Sequence, residues 1–129
     1  MGEAVMADPM RIFAFRRALT IDPYILPVNS ATVPVAVQID QAGIRAAGVT
    51  SFKIMNPTNV WVWYRGWNGS ASDMPAIKEK GHYLPPGGID VNTSQIPQWI
   101  AAHAQAEPGF PLPSDFTGYR LIMVYGSGL

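Results

Sequence analysis

Apolar and polar positions alternate most clearly in the middle of the chain. Phe52 and Ile54 fall on one side of an extended segment, and Lys53 and Met55 fall on the other. Residues 56–59, Asn-Pro-Thr-Asn, interrupt the alternation. Proline lacks an N–H and asparagine favours turns, so this tetrapeptide predicts a tight reversal between two strands.

The strand predicted after this turn is apolar on both faces. Its residues are β-branched or aromatic, which suits a pleated sheet better than a helix. A strand apolar on both sides is covered on both sides, by a second sheet or by a partner chain. One face carries Val60, Val62 and Tyr64, and the other carries Trp61, Trp63 and Arg65.

Further strands are predicted along the chain from period-two alternation and turn signals. Segment 11–17 favours a strand, with a short helix as the alternative. Val35, Val37 and Ile39 alternate inward in another strand. Short strands are also predicted at 82–84 and 89–91, on either side of the turn Pro85-Pro86-Gly87-Gly88, and at 119–125, which again is apolar on both faces.

Three segments between these strands carry other signals. Residues 21–34 contain three prolines, which predicts an extended, edge-like or irregular connection. Gly43 and Gly48 predict turns within 41–50. Ser94 is a candidate N-cap for a helix through 104, which would place Ile96, Trp99, Ile100 and His103 on one face.

These elements together predict one mainly β domain. Twelve glycines and twelve prolines separate about seven short strands from one another and from a single helix. This spacing is typical of a β-sandwich or jelly-roll-like small barrel with one short helix. We expect an N-terminal arm over residues 1–10 and a single β-sandwich domain over residues 11–129.

The low fraction of charged residues adds the expectation that the chain associates with other subunits. The chain has nine basic and nine acidic residues, and only 14% of its residues are charged, against roughly 25% in soluble domains. Such a surface suits a subunit that buries much of its area against others. No basic cluster predicts nucleic acid as a partner, and no apolar run is long enough to predict a membrane span.

No catalytic or metal-binding pattern stands out. The chain lacks cysteine, which excludes thiolate nucleophiles and cysteine metal sites. His82 is expected at a loop or strand edge and His103 in a packed position, and two histidines without further ligands do not predict a zinc site. We therefore expect no catalytic residue, no metal and no cofactor, and a protein that is not an enzyme.

The aromatic residues are the strongest candidates for a binding surface. Trp, Tyr and Arg concentrate binding energy at subunit interfaces, although the same rings could form a core or a platform that stacks on a sugar. The predicted interface residues are Trp61, Trp63, Arg65, Trp67 and Trp99.

Three stretches resemble small proteins encoded among the virion structural genes of tailed phages. They are residues 54–67, 83–88 and 121–128, and the likeness covers about residues 50–129. The resemblance implies a β-sandwich virion component, such as a capsid decoration or cement protein that stabilises the head by binding across capsomers. It implies the major capsid protein or other virion proteins as partners, and a homo-oligomer with a trimer favoured. A tail or neck component and a carbohydrate-binding module are the alternatives.

Overall fold

A computed structural model describes residues 15–30, 35–49, 51–73, 77, 80–92 and 95–127. Within them lie nine strands, one short helix and a 3-10 turn, Ala71–Asp73. The helix is α1 (Gln41–Ala46). The strands are β1 (Arg16–Arg17), β2 (Tyr24–Asn29), β3 (Val37–Gln38), β4 (Ser51–Met55), β5 (Trp61–Trp67), β6 (His82–Leu84), β7 (Ile89–Asn92), β8 (Trp99–Gln105) and β9 (Arg120–Ser127).

The strands form one mixed sheet that curls into a nearly closed barrel, which confirms the predicted fold class. Their order is β6-β5-β8-β2-β9-β4-β7, with β1 beside β9 and β3 beside β8. The β2–β8 pair is parallel, and the other pairs are antiparallel. The sheet therefore has a β8 half and a β9 half, joined through β2.

Strand β2 joins the halves because it changes partner along its length. Residues 24–27 pair with β9, and residues 28–29 pair with β8. The change of partner falls directly after Pro27, an exposed residue that has no N–H to donate. The extended, edge-like connection expected for this segment is therefore seen at residues 24–29, where each residue pairs with a single neighbouring strand. Pro27 marks the corner at which the chain passes from one half to the other, and Pro34 lies outside the described residues.

The free ends of the sheet, β6 and β7, are brought together by two turns. One turn joins β4 to β5 and the other joins β6 to β7. Asn56, at 1% exposure, connects them: its amide donates to the carbonyls of Val60 (2.8 Å), Leu84 (3.2 Å) and Pro85 (3.1 Å). Its backbone exchanges hydrogen bonds with Gly87 and Gly88. These bonds hold the two halves together on the side opposite β2.

The core fills the interior of the barrel with alternate residues of the long strands. Tyr64, Leu26, Ile54 and Met123 are each at most 1% exposed. The predicted alternation at 52–55 and 60–65 is confirmed, since Phe52, Ile54, Val60, Val62 and Tyr64 are all buried. Val37 and Ile39 pack inward as predicted, but Val35 is 46% exposed.

The helix predicted over 94–104 is wrong. Residues 99–105 form β8, which lies between β5 on one side and β2 and β3 on the other. Trp99 and Ile100 therefore point to opposite faces of the sheet. The alanines of this segment favour a helix in isolation, but here Ala102 and Ala104 are buried where strands pack closely, and pairing on both edges outweighs local propensity.

The real helix lies where the sequence predicted turns. In α1 the carboxylate of Asp40 caps the N-terminus by accepting from the Gly43 N–H at 3.0 Å, and Ile44 packs into the core at 1% exposure. Gly48 follows with φ of 69°, a conformation suited to glycine just past a helix.

Among the described residues no helix has the length and apolar character required to cross a membrane. Of the strand predicted over 11–17, residues 16–17 form β1, and residues 11–14 lie outside the described part.

Candidate functional site

The five predicted interface residues lie together on the outer surface of the β8 half. Strand alternation places Trp61, Trp63, Arg65 and Trp67 on the outer side of β5, and the register pairs Trp67 with Trp99 of β8. All five are half-buried. We call these five residues, together with Tyr83, the aromatic face.

Tyr83 is the residue that packs the tryptophans of this face. Its ring centroid lies 4.2 Å from that of Trp63 in a stacked arrangement and 4.9 Å from that of Trp61. Phe110 meets Trp61 edge-on at 6.4 Å. Much of each ring is therefore covered by other rings of the same chain, and the two tryptophans do not stand free in solvent along an open groove.

Hydrogen bonds fix the polar edges of these rings. The Trp63 indole donates to the Gln105 side chain at 2.8 Å, and the Tyr83 hydroxyl donates to Glu107 at 2.6 Å. Gln105 also donates to Glu107 at 3.0 Å, which links the two bonds. Burial, reinforced by Glu107, raises the pKa of Tyr83. The Trp61 indole nitrogen is buried and has no hydrogen-bond partner in the described part of the chain.

The far end of the aromatic face is tied to the loop after β5. The Trp67 indole donates to the Ser70 carbonyl at 3.0 Å, and the Trp99 indole donates to the Gly69 carbonyl at 2.9 Å. On another part of the surface, the Lys53 ammonium lies 5.5 Å from the centroid of the Phe15 ring.

The outer surface of the β9 half carries a second apolar surface that the sequence analysis missed. Four side chains stand in register across four neighbouring strands: Ile25 pairs with Ile122, Ile122 with Met55, and Met55 with Ile89. Ile25 is 46% exposed and Ile89 is 58% exposed, and the two between them are half-buried. We call these four residues the aliphatic row.

The aliphatic row reaches the edge of the sheet. Ile89 belongs to β7, the last strand in the order, where Val91 is also 38% exposed. The alternation of β4, β7 and β9 contained the signal for these outward residues. Their alignment was hidden because it depends on strand order, which the sequence pattern did not define.

Neither histidine belongs to a cluster of possible metal ligands in the described part of the chain. His82 is an exposed residue on β6, as expected, and its ring stacks on Tyr64 at 5.0 Å. His103 is half-buried on β8 rather than on a helix. Among the described residues, no group of three or more histidine, cysteine or carboxylate side chains is placed to hold a metal ion.

Comparison with known proteins identifies no relative. A scan against protein-family models, a search of curated proteins and a search of solved structures each found no match. The class defined by the fold is a small, nearly closed, mixed β-barrel with two apolar outer surfaces. The resemblance to phage virion proteins remains a prediction from the sequence.

Proposed function

We propose that this chain is a non-enzymatic structural subunit of a tailed-phage particle, most simply a capsid decoration or cement protein that associates with copies of itself. The aliphatic row carries the self-association part of the proposal. The resemblance of residues 54–67, 83–88 and 121–128 to virion proteins carries the phage part.

The aliphatic row has the properties of a protein–protein contact. Monomeric soluble proteins rarely expose contiguous apolar patches of large size, and such patches mark interaction sites. Here the exposed side chains follow one line across β2, β9, β4 and β7 rather than lying scattered. Burying these four side chains against a neighbour would remove apolar surface from water, which favours association. None of the four carries a charge that would have to lose its hydration.

A second copy of the chain is the occupant that fits this surface best. The nine positive and nine negative charges give no net charge, so copies do not repel one another at long range. Repetition of one patch around a symmetry axis gives a closed ring. A trimer is the state expected from the resemblance, with the major capsid protein or other virion proteins as the surface on which the ring sits.

Such a subunit would stabilise a head by linkage. A protein that binds the assembled shell but not its separated parts shifts the equilibrium toward assembly, by an amount set by its affinity and free concentration.

A tail or neck component would use the same self-association. The half-exposed rings of the aromatic face favour a carbohydrate-binding module as the alternative from a different class, although Tyr83 covers part of Trp61 and Trp63.

The first experiment measures the molar mass in solution and its dependence on the aliphatic row. Size-exclusion chromatography with light scattering should give a multiple of 14.0 kDa for the wild-type chain. Ile89→Lys should yield the monomer, because a charge is then buried in the contact. Ile89 is more than half exposed, so the monomer itself should keep its stability within about 0.5 kcal/mol.

Leu19→Lys is the matched control, since Leu19 is 87% exposed and lies outside the row. It should leave the molar mass unchanged. A monomeric wild type at about 100 µM, well above the micromolar range of ordinary association, would reject self-association. So would a multimer that Ile89→Lys does not dissociate.

Two further measurements separate the phage role from its alternatives. Mass spectrometry of purified particles should find the chain at a copy number that matches the capsomers of the head, and its absence from particles would reject the virion role. Titration with polysaccharides should leave tryptophan fluorescence unchanged, whereas a saturable shift would favour the carbohydrate-binding module.

A further inference from the structure

Positive charges flank the aliphatic row on both sides. On β9, Arg120 lies two residues before Ile122 and therefore on the same outer side of the sheet. On β4, Lys53 lies two residues before Met55, and because β4 and β9 are antiparallel it falls on the opposite side of the row. A two-residue step along a strand is about 7 Å. The row therefore has a guanidinium beside one of its long sides and an ammonium beside the other.

Arg17 extends the positive charge beyond Lys53. Arg17 pairs with Gly126 of β9, and paired residues of antiparallel strands share a face of the sheet. The Phe15 ring, two residues earlier, lies 5.5 Å from the Lys53 ammonium, which places this part of the chain on the same outer side. Arg17 and Arg120 are exposed, and Lys53 is half-buried. We call the aliphatic row together with these three cations the row surface.

The carboxylates of the chain are distributed differently. Asp90 is the one carboxylate within β2, β4, β7 and β9, and it alternates to the inner side, where it accepts from Tyr64 at 3.1 Å. Asp22, two residues before β2, lines a hollow beside α1 together with Asp40. Apart from the three cations of the row surface, the whole chain has nine acidic and six basic residues. The strands of the row surface thus present positive charge, and the remainder of the chain is net negative.

This distribution opposes contact of the row surface with itself. An isologous contact about a two-fold axis would stack two row surfaces and bring the cations of both copies together, and like charges opposed across an interface weaken binding. A heterologous contact sets the row surface against a different surface of the next copy, where carboxylates can lie opposite the cations. Heterologous contacts also close into rings such as a trimer when the rotation between subunits allows it.

We propose that the row surface of one copy docks on an acidic surface of the next copy, so that the subunits associate head to tail. The inference rests on the proposed self-association and specifies its geometry. Burial of the four apolar side chains supplies the attraction. The cations select the partner surface, because they favour carboxylates and oppose row-to-row pairing.

The first test is the salt dependence of association, measured by sedimentation velocity of the full chain at about 0.05 M and about 0.5 M NaCl. Salt screens attraction between opposite charges, over a length of about 10 Å at 0.1 M and about 3 Å at 1 M. The apparent Kd should therefore rise about ten-fold at the higher salt concentration. Row-to-row contact predicts the opposite sign, because salt would then weaken a repulsion.

The second test reverses one charge of the row surface. Arg120→Glu should raise the apparent Kd about ten-fold at low salt, because a carboxylate would then face the acidic surface of the next copy. In a row-to-row contact the same change would tighten association, because the new carboxylate would face cations. Arg120→Lys is the matched control: it keeps the charge at the same position, and the Kd should stay within about three-fold. Arg120 is exposed, and its side chain donates to the Gly118 carbonyl at 3.1 Å, so both variants should stay folded.

The third test mixes two chains. Ile89→Lys disables the row surface of its own copy but keeps the acidic surface on which another copy can dock. A trace of Ile89→Lys labelled at its α-amino group should therefore sediment faster when unlabelled wild type is added in excess. In a row-to-row contact both partners need an intact row, so the labelled variant would stay monomeric.

Three outcomes would overturn the head-to-tail geometry alone: an apparent Kd that is unchanged or lower at high salt, association of Arg120→Glu that is as tight as wild type or tighter, and labelled Ile89→Lys that stays monomeric beside a wild-type multimer. A wild type that is monomeric at about 100 µM, well above the micromolar range, would reject the proposed self-association and this inference with it.

Discussion

At the scale of single residues, Asn56 is a buried polar side chain that connects the two turns closing the barrel. It is a buried amide whose nitrogen serves three carbonyls and whose oxygen accepts from the backbone N–H of Thr58 at 3.0 Å. The sequence predicted its place in a turn. It did not predict the bonds to residues 84 and 85, which are 28 and 29 positions away.

Asn56→Asp should destabilise the fold strongly. The carboxylate has the size of the amide but cannot donate, so three carbonyl oxygens lose their partner and face a negative charge. The loss should be about 3 kcal/mol in the free energy of unfolding, measured by urea denaturation at neutral pH.

Asn59→Asp is the matched control for this measurement. Asn59 is exposed, and its side-chain oxygen accepts from the Tyr119 hydroxyl at 2.9 Å, a role that a carboxylate can keep. Its effect should stay within about 0.5 kcal/mol. Equal effects of the two substitutions would show that Asn56 does not lock the turns.

At the scale of elements, the short strand β1 depends on a glycine in β9. Gly126 pairs with Arg17, and a Cβ at this position would lie 2.0 Å from the Arg16 carbonyl oxygen. The backbones of β1 and β9 therefore approach so closely that only glycine, which has no Cβ, fits at position 126. The sequence showed a Gly-Ser-Gly terminus but gave no sign of this contact, because the contact joins residues over a hundred positions apart.

Gly126→Ala should separate β1 from β9. The Ala18 N–H, which donates to the Tyr125 carbonyl at 2.9 Å, should lose its protection in hydrogen exchange, while amides of β4 keep theirs. The whole-fold stability should fall by about 1–3 kcal/mol. Ser127→Ala, at the exposed neighbouring position, should change neither quantity. Retained protection at Ala18 would contradict the close approach.

At the scale of the whole molecule, closure of the barrel buries tyrosines whose ionisation then opposes folding. Tyr64 is 1% exposed and donates to Asp90 of β7 at 3.1 Å, which helps to close the barrel between β5 and the free end of the sheet. Burial, reinforced by the charge of Asp90, raises the pKa of Tyr64. Burial likewise raises the pKa of Tyr125.

Stability should therefore be lost at high pH. The folded pKa of each tyrosine lies above the unfolded value near 10, so above that pH the unfolded chain binds fewer protons than the folded one. The stabilisation is complete below the unfolded pKa, and it falls by about 1.4 kcal/mol per pH unit for each buried tyrosine above it.

Urea denaturation of the wild type and Tyr125→Phe from pH 8 to 11.5 measures this loss. The two proteins should show the same pH dependence below about pH 9, and the variant should lose stability less steeply above pH 10. The hydroxyl of Tyr125 has no partner in the described part of the chain, so removing it should cost nothing at neutral pH. Parallel curves across the whole range would contradict its burial.

The sequence by itself determined the class of the fold and the faces of its long strands. Alternation at β4 and β5 follows from the backbone geometry of a strand, which sends successive side chains to opposite sides. The turn residues at 56–59 and 85–88 have conformational preferences that act locally. The alternation predicted at 52–55 and 60–65 was confirmed, whereas the helix predicted over 94–104 from an N-cap and apolar spacing was wrong.

Only the tertiary structure decided which strands are neighbours and which local preferences are overruled. An alanine-rich segment became β8 because it pairs on both edges, and a glycine-containing segment became α1 because Ile44 fills the core and Asp40 caps its end. The aliphatic row and the pairing of Trp67 with Trp99 join residues far apart in sequence. Their positions depend on strand order and register, which arise from packing across the whole chain and leave no local pattern.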